Sequence, residues 1–275
     1  MRGTTSPQER PPPACRRNNN NREPGWDGPD SMSDSAKTCV IKACRKPASH
    51  VFEKSGTDIS VCSACGCIMA SVEYDADQYE SDDYYTMASD DVRDLETRWG
   101  FRSRYILKKV LEHTGAEPTL LDVGAGNGYF VHVAQRDLGL AATGIEISST
   151  AVKFSEDVLG VKLICGDAAE HTGQYDIVTS FNVIEHVQNP EDHLADLLRL
   201  TKAGGCVVIT TPNPNCIQRR VVGLRKWKMI CPPHHINLFT MKALEAMANS
   251  ADIEIVAHET LSTYVKVVKD IDTDS

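Results

Sequence analysis

The chain has 275 residues, 41% hydrophobic and 24% charged, which leaves room for one α/β domain with an appendage and excludes wholesale disorder or a fibrous repeat. No run approaches the ~20 apolar residues that span a bilayer, and the N-terminus, despite Arg2, Arg10, Arg16 and Arg17, lacks the apolar run of a secretory signal; the expectation is a cytoplasmic protein without membrane insertion. With 29 Lys and Arg against 38 Asp and Glu the net charge is −9, so phosphate backbones would be repelled and nucleic acid is not an expected partner; the basic cluster Arg219, Arg220, Arg225, Lys226 and Lys228 leaves only a small anionic partner open.

Residues 1–36 hold six of the 13 prolines and the Asn18–Asn21 run, with little apolar surface to offset the entropy of ordering, and read as a disordered tail. Residues 37–72 carry five of the ten cysteines, Cys39, Cys44, Cys62, Cys65 and Cys67. In a reducing compartment such a cluster reads as a metal site before disulfides. Structural zinc needs four thiolate or imidazole ligands as two close pairs. Cys62-Ser-Ala-Cys65-Gly66 is a good knuckle and Cys39 to Cys44 a looser one, which makes Cys39, Cys44, Cys62 and Cys65 the expected ligands, with Cys67 or His50 as substitutes. A redox dithiol fits less well, because no thioredoxin-like frame surrounds the pair. An acidic linker with Tyr74, Tyr79, Tyr84 and Tyr85 covers residues 73–91, and residues 92–275 form the main domain.

That domain alternates strand-like and helix-like segments, the pattern of a parallel sheet covered on both faces. A helix is predicted from Val92 to His113, a strand over Thr119–Val123, and a helix carrying Phe130, Val131, Val133, Ala134 and Leu138. Strands follow at Ala142–Ile147, Val161–Cys165, Tyr175–Phe181 and Cys206–Thr211. The intervening helices run from a Ser149 cap through Val158, and from Asp192 to Thr201 with a stop at Gly204-Gly205. After an irregular stretch from Pro212 to Leu238, Thr240 caps a helix to Ala251, Asp252–Ala257 is a strand, and Tyr264–Val268 can pair beside it. Cys165, Cys206, Cys216 and Cys231 read as small buried or loop residues.

Leu120 to Phe130 is a strand, a glycine turn (Gly124, Gly126, Gly128) and a helix start in that order. Such a turn is weak evidence alone. Glu146, at the end of the next predicted strand, adds a carboxylate able to accept both hydroxyl protons of a ribose. The spacing G-x-G-x-G with Tyr129 disfavours a dinucleotide fingerprint, which wants a small residue there, and no Gly-Lys-Ser/Thr of a P-loop follows. Asp167, after the third strand, can accept from an adenine amino group.

Asp122 to Gly128, Glu146, Asp167, the segment from Tyr175 to Val187 and Leu200 to Pro214 together resemble the class I S-adenosylmethionine-dependent methyltransferases. Within that class, Val183-Ile-Glu-His-Val187 and Cys231-Pro-Pro-His-His-Ile-Asn-Leu-Phe-Thr240 are similar to the small-molecule branch that includes ubiquinone-type and sugar or natural-product enzymes. The resemblance implies a Rossmann-like, mostly parallel seven-stranded sheet. It places Asp122, Gly124, Ala125, Gly126, Gly128, Glu146, Ile147, Asp167, Ala168 and Asn182 around S-adenosylmethionine, with Glu146 on the ribose, Asp167 by the adenine and Asn182 by the methionine ammonium. Asp122 can equally orient the loop from beneath. The cysteine segment resembles the N-terminal zinc ribbon that many of these enzymes carry before a tyrosine-bearing linker.

Displacement at a sulfonium demands alignment and exclusion of water; a base is optional. For a hydroxyl acceptor, His186, His234 and His235 are the candidate bases, since an ordinary imidazole titrates near neutrality. Glu185 can cap the following helix or orient His186. The expected reaction is methylation of a small molecule, at oxygen first, with nitrogen and carbon open. A non-catalytic cofactor-binding regulator and an NAD-dependent enzyme are the competing readings. The acceptor and the oligomeric state are not legible.

Overall fold

The computed structural model describes residues 37–72, 92–261 and 264–270. The expected tail, 1–36, and linker, 73–91, lie outside the described residues. The first sheet comes from β1 (Lys37–Thr38), β2 (Pro47–Lys54), β3 (Thr57–Cys62) and β4 (Ile68–Ala70). The second begins after α1 (Val92–Leu95), a π-helical turn (Glu96–Gly100) and α2 (Phe101–Leu111). Then follow β5 (Thr119–Val123), α3 (Tyr129–Leu138), β6 (Ala141–Glu146), α4 (Ser149–Phe154), β7 (Ile164–Cys165) and β8 (Tyr175–Phe181). The chain continues through α5 (Pro190–Arg199), β9 (Thr201–Pro212), α6 (Ile217–Val222), β10 (Asn237–Leu238), α7 (Met241–Ser250), β11 (Glu254–Leu261) and β12 (Tyr264–Asp270).

The larger sheet has the order β11-β12-β9-β8-β5-β6-β7. The five strands from β9 to β7 are parallel, and β12 runs antiparallel to both β9 and β11. Alternate side chains divide its core between two faces, as the period of two demands. Leu121, Val178 and Val207 pack under α5 and α7. Leu120, Ile177 and Val208 face α2 and α3. Burial on both sides explains why these strands read as continuous apolar runs rather than alternating ones.

Several boundaries differ from the sequence expectation. Ser148, not Ser149, caps α4, accepting from the Ala151 amide at 3.2 Å. Paired strand covers only Ile164–Cys165 of the expected Val161–Cys165, because Val161 and Leu163 turn into the core while β7 pairs only with the end of β6. Cys165 is exposed there rather than buried. The Gly204-Gly205 pair does not stop a helix: α5 ends at Arg199, and the glycines lie within β9, where Tyr175 pairs with Thr201 but Ile177 with Cys206, an irregularity served by Gly204 at φ 74°. The final strand inserts as β12 between β9 and β11, so the Asp252–Ala257 segment ends at the sheet edge.

The cysteine segment shares the main core. β10 adds to β4 through Asn237–Met69 and Leu238–Ile68 pairs, joining a chain segment some 170 residues away. Cys39, Ile41, Cys62, Cys65 and Cys67 pack in one cluster with Ile184, Leu197, Phe239 and Leu244. Across the small sheet, Phe52, Ile59 and Ile68 cover Trp227 and Ile230. The stretch from Pro212 to Leu238, expected to be irregular throughout, is thereby pinned against β2–β4 and carries α6 and β10.

Candidate active site

The order of the parallel strands reverses between β5 and β8, and in open α/β sheets ligands bind outside the carboxyl ends of strands at such a switch point. Gly124 to Gly128 leave β5 here. A side chain at Gly124 would overlap Val183, and one at Gly128 would overlap Ser155, so packing alone demands glycine at both. Gly126 differs: its φ is 54°, yet among the described residues no atom beyond its two chain neighbours lies within 4 Å of where its Cβ would be. That face of the loop is open, and a ligand can approach its backbone closely.

Glu146, 3% exposed at the end of β6, accepts from the Gly126 amide at 2.7 Å and the Ser148 amide at 2.9 Å, tying the loop to the second strand. Asp122 is enclosed beneath the loop, where Thr179 Oγ1 donates to it at 2.7 Å across β5 and β8. Burial, reinforced by the charge of Glu146, pushes its pKa up to about 7. That setting fits a loop orienter. Asp167 caps the turn Ala168–Glu170 by accepting from the Ala169 amide at 3.0 Å, and Ala168 is buried behind it. Ile147 is half-buried after Glu146. Asn182 ends β8 at φ 57°, an uncommon conformation for a residue with a Cβ, held by donation of its amide to Thr210 O at 2.8 Å.

Of the three histidines, the structure brings the rings of His186 and His235 together, edge to face with centroids 4.9 Å apart. His234 contributes its carbonyl, which accepts from His186 Nδ1 at 2.8 Å, while its ring is exposed. His235 Nδ1 lies 2.7 Å from Met229 O. A carbonyl can only accept, so these contacts put the neutral imidazole proton on Nδ1 of each ring. The expectation of an ordinary near-neutral imidazole is not met at His186: burial, with His235 and His234 beside it, pushes its pKa down to about 3. Burial lowers His235 as well.

Glu185 is the residue that sequence reasoning undervalued. It is completely buried and neither caps a helix nor faces solvent. Its Oε2 accepts from Thr211 Oγ1 at 3.1 Å, its Oε1 has no hydrogen-bond partner among the described residues, and its carbonyl accepts from the Ile236 amide at 2.9 Å. One ligand atom from each of Glu185, His186 and His235 lies within 4.8 Å of the others. The signal was an acid beside His186 after a buried strand, but the partner, 50 residues on, was not visible in the pattern.

The Sγ atoms of Cys39, Cys44, Cys62 and Cys65 lie within 4.8 Å of one another, with Cys39–Cys65 at 3.5 Å and Cys44–Cys62 at 3.6 Å. Burial pushes the Cys65 thiol pKa up, a penalty that a cation reverses by taking thiolates as ligands. Four soft donors in one knot fit zinc. His50, a candidate substitute, faces Asp58 at 3.4 Å outside this knot, and Cys67 is buried without belonging to the four-sulfur set.

The fold bears out the resemblance to the class I S-adenosylmethionine-dependent methyltransferases, and the chain belongs to the methyltransferase domain family, whose model matches residues 98–258. It is 34% identical over 105 residues to a ubiquinone biosynthesis O-methyltransferase of Thiobacillus denitrificans, covering 35% of this chain and 45% of that protein. A second such enzyme, from Pseudomonas paraeruginosa, is 28% identical over 179 residues, 58% of this chain and 76% of that one. The chain spans about half the length of most of the curated relatives it matches. Among solved structures, the magnesium protoporphyrin IX methyltransferase of Synechocystis with bound S-adenosylhomocysteine superposes with a TM-score of 0.55 at 16% identity, covering 70% of this chain and 96% of that one. A methyltransferase from Aquifex aeolicus gives a TM-score of 0.53 at 17% identity, covering 70% and 99%. These two likenesses are of fold. Among the described residues no helix is long and apolar enough to cross a membrane.

Proposed function

We propose that this chain transfers the methyl group of S-adenosylmethionine to a hydroxyl of a small-molecule acceptor. The observation that carries the reading is the face of Gly126 between Glu146 and Asn182 at the switch point, which the described residues leave open. The turn Gly124-Ala125-Gly126 lies under the methionine portion. Glu146 takes the ribose hydroxyls, since each carboxylate oxygen has two lone pairs and one amide bond does not exhaust it. Asp167 and Ala168 meet the adenine, Ile147 flanks it, and backbone groups of Asn182 meet the ammonium. As the new O–C bond forms, the S–C bond breaks with its electron pair returning to sulfur, which extinguishes the sulfonium charge; placement and dryness supply most of the acceleration.

The acceptor side is the wall of His186 and His235, with His234 at its rim. Residues 37–72 act as a zinc-ribbon-like appendage to the catalytic domain of 92–275, holding structural zinc on Cys39, Cys44, Cys62 and Cys65; four thiolates leave the ion no open position for chemistry. The acidic net charge and the ubiquinone-type relatives support a small cytoplasmic acceptor rather than a nucleic acid. Calorimetry with S-adenosylhomocysteine tests the cofactor site: Glu146→Ala weakens binding about 10- to 100-fold, the loss expected for charge-assisted hydrogen bonds to a diol. Wild-type protein that binds neither S-adenosylmethionine nor its demethylated product would sink the reading. Release of that product over a panel of phenols, sugar nucleotides and amines identifies the acceptor class.

A further inference from the structure

A carboxylate oxygen of Glu185 and one ring nitrogen each of His186 and His235 lie within 4.8 Å of one another, and both imidazoles direct an Nδ1 proton at a backbone carbonyl. The carboxylate is fully buried, with one oxygen held by Thr211 and the other unpartnered among the described residues. Leaving a buried carboxylate oxygen unsatisfied is costly, so its retention calls for a partner that arrives during function. The backbone fixes the arrangement from both sides, because the Ile236 amide, one residue after His235, donates to the Glu185 carbonyl at 2.9 Å.

Resting on the methyltransferase reading above, we propose that Glu185 is the positioning residue of a proton-accepting cluster: its carboxylate is the buried counter-charge that lets His235 Nε2 take the acceptor's hydroxyl proton as the methyl group arrives. The balance is simple. The acceptor O–H bond breaks and its electrons stay on oxygen, which forms the O–CH3 bond; the proton passes to Nε2, and the nearby Glu185 carboxylate balances the imidazolium charge; the sulfur leaves with the S–CH3 pair. Burial places the Glu185 pKa at about 7, poised between its two states at neutral pH. The titratable and charged groups facing this cluster are His186 on the same turn, His234, Cys231, and Lys54 from β2, whose ammonium bonds Trp227 O and acts on Cys231.

The test is a titration of 15N-histidine-labelled, full-length protein by NMR, in wild type, Glu185→Gln and Glu185→Asp. The expected result is an Nδ1–H tautomer at His235 and proton uptake at its Nε2 at least ~10-fold tighter in wild type than in Glu185→Gln, with Glu185→Asp restoring part of the difference. With a hydroxyl acceptor, Glu185→Gln lowers kcat about 10- to 100-fold and moves the acid limb of the profile to lower pH, with KM nearly unchanged. Equal proton affinity in wild type and Glu185→Gln overturns the proposal. So does a stoichiometric metal retained by the wild type, measured by elemental analysis, and lost with Glu185→Gln. If Glu185→Gln does not fold, the wild-type tautomer and the Glu185→Asp titration decide. Failure to bind S-adenosylhomocysteine would instead overturn the methyltransferase reading and leave the titration result standing.

Discussion

Asp122 is buried and His193 half-buried, both with their neutral forms favoured, and they bend stability in opposite directions with pH. Burial lowers the His193 pKa to about 4, with Ser180 Oγ at 3.1 Å from its Nε2. The unfolded chain therefore binds more protons as pH falls from about 6.5 toward 4, and stability falls with it. Asp122 has the reverse sign: its raised pKa means the native state holds a proton the unfolded chain has lost between about 3.8 and 7, so stability falls as pH rises through that window. Asp122→Asn removes this dependence while leaving an oxygen to accept from Thr179. The variant should gain stability over wild type by ~2–4 kcal/mol on going from pH 4 to pH 8, measured by urea unfolding. A difference that stays constant across that range would show that Asp122 is already ionised.

At the scale of elements, helix starts were legible where a capping side chain acts on its own turn. Thr240 accepts from the Ala243 amide at 3.2 Å as expected. It also does something no local pattern shows: its hydroxyl donates to the Cys65 carbonyl, and its methyl lies 3.2 Å from where a Cβ on Gly66 would be. Thr240→Ala should cost ~1–3 kcal/mol, above what a cap alone explains in a peptide, by thermal unfolding. In the central sheet, Leu121 is fully buried between β6 and β8, and Leu121→Ala should cost ~2–5 kcal/mol, from lost burial plus the cavity left behind.

At the scale of the whole molecule, the cysteine knot and the segment carrying His186 and His235 are tied together. Glu191 at the start of α5 accepts from the amides of Lys42 and Ala43 at 2.8 and 2.9 Å, and the Ala70 amide donates to Ile236 O at 2.8 Å. Zinc on the knot would brace these links, because a small cysteine segment folds around its metal. Removal of the metal by a thiol reagent, followed by hydrogen exchange, should release protection in residues 37–72 and 234–238 together while Thr119–Val123 stays protected. Protection at 234–238 that survives metal loss would uncouple the two.

The glycine turn and the Cys62–Cys65 knuckle were readable from the sequence because spacing within a few residues fixes their geometry, and Glu146 because the αβ alternation puts it at the end of the next strand; that Cys39 meets Cys65, 26 residues on, was decided by the fold. Glu185 was not, since its meaning comes from Thr211, Ile236 and His235 on other elements. β10 escaped for the same reason: two residues become a strand only by pairing with β4. Gly204-Gly205 misled because glycine permits an irregular strand as readily as a helix end, and β8 on one side decided between them. Amino-acid order specified the αβ alternation and the glycine turn after β5; tertiary packing alone chose which distant polar groups meet, because a buried carboxylate takes its character from whatever surrounds it.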